Sequence, residues 1–136
     1  MAEGIFQEKV DRLGLDVSLD SAGTGNWHVG EEPDPRAQQT TRKNGIDISG
    51  LRGRQFTAAD FDRFDRIYAM DASNYENILK LAETDEEREK VRMILNETHP
   101  GQNLSVPDPY FGGDEGFNGV FAMLDAAADK VLGELK

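Results

Sequence analysis

The sequence predicts an α/β fold in which helices flank both faces of a parallel sheet, giving three layers. Three observations carry this prediction. Helix start and stop signals recur along the chain, with short extended apolar pieces between them. The last twenty residues keep one apolar stripe at helical spacing. At 136 residues with 38% hydrophobic side chains, the chain is expected to be one domain, residues 1–136, large enough to bury a core.

The elements follow in order. "MAEGIFQEKVDRLGL" places Ile5, Phe6, Val10 and Leu13 on one helical face almost from the first residue. No capping side chain or lead-in loop precedes it, although the unpaired N–H groups of a helix start normally meet a cap or an anion. The expectation is that something functional belongs ahead of Met1. "DVSLDSAGTG" predicts a strand over 16–22 that runs into a turn of small residues. A helix then spans "PDPRAQQTTRKNG", with Asp34 as cap, Pro35 at the first helical position and Gly45 as the stop. "IDIS" is a short extended piece. Thr57 and Asp60 stand in capping-box spacing at the start of "TAADFDRF".

"RIYAM" predicts a buried strand over 66–70. Ser73 with Glu76, and Thr84 with Glu87, mark two further capping boxes, opening helices in "NYENILKLA" and "DEEREKVRMIL". "RMIL" and "NLSV" are weaker strand candidates. A long irregular stretch from Thr98 to Gly116 leads to the closing helix, with Phe117, Val120, Phe121, Leu124, Val131, Leu132 and Leu135 on its stripe. The sheet comes out thin for the helices available, since two strands alone do not make a stable sheet.

Composition narrows the function. A balance of 26 acidic to 15 basic residues argues against a nucleic-acid or anionic-membrane surface, although Arg52 and Arg54 in "LRGR" could form a local basic spot. The absence of cysteine excludes disulfides, thiolate metal sites and a cysteine nucleophile within these residues. No apolar run reaches membrane-span length and no signal peptide is visible, so a cytoplasmic location is expected. His28 and His99 lack partners at ligand spacing, and neither a metal nor a cofactor is expected.

"VPDPYFGG" is the first candidate for chemistry. Asp108 stands between Pro107 and Pro109, whose rings restrain the backbone that aims its carboxylate, and Tyr110 and Phe111 follow. A carboxyl group held against aromatic rings has the raised pKa that a general acid needs. On the residues alone, an Asp-Pro turn with aromatics plugging the core is the plainer alternative. Trp27 in "GTGNWHVG" suits a rim aromatic on a loop. Asp71 and Ser73 in "AMDASN" fall where a strand ends and a helix begins, a site-building position in α/β folds; on the residues alone, a simple helix cap is the plainer reading.

Four segments in this order, "MAEGIF", "DSAGTGNWHVGEEPDPRA", "GIDIS…RGRQFTAADFDRFDRIYAMDASN" and "VPDPYFGG" before an amphipathic helix, resemble the low-molecular-weight protein-tyrosine phosphatases. The resemblance covers essentially the whole chain and implies their phosphotyrosine protein phosphatase I-like fold. In that family a central strand and a Cys-x5-Arg phosphate loop directly precede the helix that begins like "MAEGIF", so this chain would lack its first central strand, nucleophile and phosphate cradle. It implies Asp108 as general acid, Trp27 and Tyr110 as walls of the substrate slot, and Ser21 and Asp71 as supports of the phosphate loop. Phe111 stands where many members carry a second Tyr, and Gly50 near where some carry a His. The implied substrate is a phosphotyrosine protein or aryl phosphate, with no cofactor, and the chain alone is expected to be inactive and poorly stable. Two alternatives are a pseudophosphatase that binds a partner without catalysis and a relative of the arsenate reductases, which share the cysteine loop.

Overall fold

The computed structural model describes residues 1–25, 29–107 and 113–135, with the backbone alone at 113 and 114. Along the chain lie α1 (Ala2–Leu13), α2 (Pro35–Lys43), α3 (Asp60–Arg63), β1 (Ile67–Ala69), α4 (Ala72–Leu81), α5 (Asp85–Glu89), β2 (Val91–Met93), a 3-10 turn (Ile94–Asn96) and α6 (Gly113–Glu134). The fold is α/β. β1 and β2 run parallel, with Ile67 opposite Val91 and Ala69 opposite Met93.

Alternation along β1 builds the layers, because successive strand side chains point to opposite faces. Ile67 and Ala69, with Val91 and Met93 of β2, pack on Phe56, Phe61, Ile78 and Ala82 on the α3–α4 side. Tyr68 and Met70 lie against the other cluster, where Ile5, Phe6 and Val10 of α1 meet Val120, Leu124, Ala127, Ala128, Val131 and Leu132 of α6. Lys9 is buried in that helix pair, and its ammonium reaches Asp125 and Asp129 at 2.9 and 2.8 Å.

The helix signals act largely as their chemistry requires. The Asp34 carboxylate accepts the Arg36 N–H at 2.8 Å, with Pro35 at the first position, and Gly45 takes φ 80° just beyond the helix end. Thr84 Oγ1 accepts the Glu87 N–H at 3.1 Å, while the Glu87 carboxylate reaches back to the Glu83 N–H at 2.7 Å, one residue before the cap. Asp60 accepts the Thr57 N–H at 2.9 Å, but the expected capping box is not formed: α3 starts only at Asp60, with Ala59 at its cap position and no side-chain cap bond.

Several expectations need correction. The cap of α4 is Asp71, whose carboxylate accepts the Asn74 N–H at 2.7 Å, and Ser73 lies inside the helix. No strand forms over 16–22; the single ladder contact there is a parallel bridge between Gly23 and Gln55. Val17 and Leu19 pack against the α1–α6 cluster, so the side-chain pattern is satisfied without the backbone joining a strand. "IDIS" is likewise no strand: Ile48 is buried and Ile46 turns back, its N–H bonded to Thr41 O at 2.9 Å. "RMIL" is strand only as far as Met93, where the 3-10 turn begins, and "NLSV" is not strand. α6 starts within the stretch expected to be irregular, at Gly113. Leu13 and Leu135, expected on apolar faces, are exposed.

Candidate active site

β1 ends at Ala69, and the chain turns through Met70 and Asp71 into α4. Two loop-bearing segments are fastened to this turn. Val106 N–H bonds Met70 O at 2.7 Å, and the Ala72 N–H, unpaired in any helix start, bonds Ser105 Oγ at 3.1 Å. On the other side, Asn74 Nδ2 reaches Thr24 Oγ1 at 3.4 Å. The first helical turn of α4 therefore ties the stretch that leads into Asp108 to the stretch that leads into Trp27. Trp27, Asp108 and Tyr110 themselves lie outside the described residues, as do His28 and Phe111.

Ser21 and Asp71 are both described. Ser21 donates its hydroxyl to Glu3 Oε1 at 2.5 Å, in the first turn of α1, and its N–H to Asp20 Oδ1 at 2.8 Å. Asp71 caps α4 and so holds the turn that anchors Ser105 and Asn74. α1 has Met1 at its cap position, with no side-chain cap bond to the first turn.

Behind Ser21 lies an ion network. Arg54 Nε bonds Asp20 Oδ2 at 2.8 Å and Arg54 Nη1 bonds Asp60 Oδ2 at 3.0 Å, with Arg63 Nη1 on Asp60 Oδ1 at 3.4 Å. Asp60 is 1% exposed. Burial alone would raise its pKa, but the hydrogen bonds from Arg54 and the Thr57 N–H outweigh this and hold the carboxyl below its ordinary value. The same pairing raises Arg54. The local basic spot expected at "LRGR" is thus neutralised, since Arg52 also pairs with Glu32 at 3.4 Å.

Glu3, Asn74 and Ser105 could not be picked out as anchors from the sequence, because each bonds a residue 18 or more positions away. Asp20 beside Ser21 offered a local signal, since an Asp commonly holds a nearby backbone N–H in a turn. A cleft of about 710 Å³ beside β2, lined by Glu76, Arg92, Glu97 and Glu134, also takes in Ala72 and Tyr75 from the first turn of α4. It runs along β2 and the 3-10 turn, whereas α/β folds bring their loops together at the strand ends. Among the described residues, no three His, Asp or Glu side chains converge as a metal site.

Fold and anchors together define an α/β protein whose loops gather at the carboxyl end of a parallel strand. Comparison with known proteins specifies it further. Residues 1–136 match the family described as "Low molecular weight phosphotyrosine protein phosphatase". The chain is 41% identical over 127 residues to the low molecular weight phosphotyrosine protein phosphatase of Schizosaccharomyces pombe, covering 91% of this chain and 80% of that protein. It is 37% identical over 140 residues to the low molecular weight protein-tyrosine-phosphatase of Streptomyces coelicolor, covering 100% of this chain and 85% of that one. Among solved structures, a protein tyrosine phosphatase from Entamoeba histolytica with Hepes in its active site superposes with a TM-score of 0.90 at 29% identity, covering 98% of this chain and 86% of the other. YfkJ from Bacillus subtilis gives 0.86 at 31%, covering 98% and 83%. This chain belongs to the low-molecular-weight protein-tyrosine phosphatase family, and its 136 residues contain no cysteine.

Proposed function

We propose that residues 1–136 form one domain supplying the acid and the aromatic walls of a cytoplasmic phosphotyrosine phosphatase site. The nucleophile and phosphate cradle would come from outside these residues. Asp108 gives its proton to the leaving phenolate oxygen as the phosphoryl group passes to sulfur. As a carboxylate, it then takes a proton from the water that attacks phosphorus and releases the thiolate. Trp27 and Tyr110 bracket the flat ring of a phosphotyrosine protein or aryl phosphate. Ser21 and Asp71 hold the surroundings of the phosphate loop.

What supports the reading is the convergence on α4 of the two segments that lead into Asp108 and Trp27, in a chain that matches the family from end to end. With no thiol to accept the phosphoryl group, the 136-residue chain alone is proposed to be inactive. p-Nitrophenyl phosphate hydrolysis by the purified chain should equal the buffer blank; turnover above it would overturn the thiol requirement. The intact mass of the protein from its source completes the test. A mass above 15.1 kDa that includes a cysteine peptide supports the phosphatase, and a mass of 15.1 kDa turns the reading toward a partner-binding pseudophosphatase.

A further inference from the structure

The residues between Gly53 and Phe56 are fastened to both flanks of the stretch that contains Trp27. On one flank, the Gly23 N–H bonds Arg54 O at 2.8 Å and the Phe56 N–H bonds Gly23 O at 2.7 Å. On the other, the Gly30 N–H bonds Gly53 O at 2.8 Å and the Gly53 N–H bonds Glu31 O at 3.0 Å. The Arg54 side chain adds a second fastening. Its fork joins Asp60, fully buried, to Asp20, whose other oxygen accepts the Ser21 N–H while Ser21 gives its hydroxyl to Glu3. An unbroken polar path therefore runs Asp60–Arg54–Asp20–Ser21–Glu3, from the α3 side of the fold to the first turn of α1.

We propose that Arg54 is a positioning residue: its backbone and guanidinium together fix Ser21 against α1 and hold Gly23, on the flank that leads into Trp27. The proposal rests on the reading of Ser21 and Trp27 given under the proposed function. It assigns Arg54 no contact with substrate. Arg54 serves Asp20 from Nε and Asp60 from Nη1, two donor atoms set apart on a planar fork, and the single ammonium nitrogen of a lysine would have to meet both carboxylates from one point.

Trp27 is the only tryptophan in the chain, so its fluorescence reports on this loop alone. The experiment measures acrylamide quenching of Trp27, together with amide hydrogen exchange at Gly23 and Gly30, in the full chain and in four variants. In Arg54→Ala, the quenching constant should rise roughly two-fold and both amides should lose protection while α6 keeps its own. Arg54→Lys should recover less than half of the effect. Lys9→Ala, which removes a side chain from the α1–α6 pair, should lower the melting temperature yet leave quenching and both glycine amides at parent values. Unchanged quenching in Arg54→Ala, or an equal rise in Lys9→Ala, overturns the proposal. Should Arg54→Ala fail to fold, Asp20→Asn leaves the buried Arg54–Asp60 pair intact and carries the same two outcomes. No substrate enters these measurements, so they stand or fall separately from the phosphatase assay and the native mass.

Discussion

A carboxylate buried among partners close in sequence bears directly on stability, and Asp60 illustrates how. Its carboxylate is buried among Arg54, Arg63 and the Thr57 N–H, and its pKa lies below the ordinary carboxylate value because these partners outweigh burial. A depressed carboxylate contributes stability above its unfolded pKa, and the contribution fades as pH falls through the folded value. Stability should therefore drop in acid in the parent protein and show a flatter acid limb in Asp60→Asn. At neutral pH Asp60→Asn should cost about 3 kcal/mol, the lower end for breaking a buried pair, since Arg54 and Arg63 stay partly solvated. Urea titrations at neutral and acid pH check both statements. Gly4 gives a steric counterpart. A Cβ there would overlap Ile48 Cγ2 and lie 3.2 Å from Ile46 Cγ2, so Gly4→Ala should destabilise by about 1–3 kcal/mol despite the better helix propensity of alanine, measurable in the same titration. Neither position was legible as critical from the sequence. Asp60 was visible only as a capping residue, and Gly4 only as a small residue in a helix.

At the scale of elements, the sequence was informative wherever structure is decided locally. The starts of α2 and α5 could be read from Asp34 with Pro35 and from Thr84 with Glu87, because a cap and the N–H groups it satisfies lie within three residues. Strands are decided by a partner elsewhere, so the alternating segment 16–22 could satisfy its side chains without becoming a strand, while the doubtful "RMIL" supplied β2. The pairing of α1 with α6 was foreseeable from two apolar stripes, but the share of two alanines in it was not. Ala127 and Ala128, both wholly buried, stand where larger residues drew attention. Lys9 joins these helices through Asp125 and Asp129. Burial lowers its pKa, but the two carboxylates together raise it above the ordinary lysine value. A raised lysine contributes fully below its unfolded pKa and loses that contribution only as pH rises through the folded value, so this link should persist through the mildly alkaline range. Lys9→Ala, which loses both ion pairs and buried methylenes, should cost about 2–3 kcal/mol, whereas Lys9→Met keeps the packing and should recover most of it. Chemical denaturation of the two variants side by side separates the charge contribution from the packing contribution.

For the whole molecule, the decisive feature is how little sheet joins its two helical layers. The ladder described pairs three residues of β1 with three of β2, with the single Gly23–Gln55 bridge beyond it. Sheets this small are rarely stable independently, and side-chain packing across them must supply most of the coupling between layers. The buried clusters divide along the same line: α1 and α6 share one, and α3, α4 and the inner faces of β1 and β2 share the other. A molecule so divided should lose its halves separately when the 136 residues are studied alone. Native-state hydrogen exchange should find α6 the best protected element and the β1 amides exchanging far earlier, rather than both opening in one global event. Calorimetry should give a broad transition, with an enthalpy well under the roughly 0.7 kcal/mol per residue of a cooperative domain near 60 °C. A single sharp transition of full enthalpy, with β1 and α6 protected equally, would show that packing alone couples the layers. The low stability expected of the isolated chain would then be wrong.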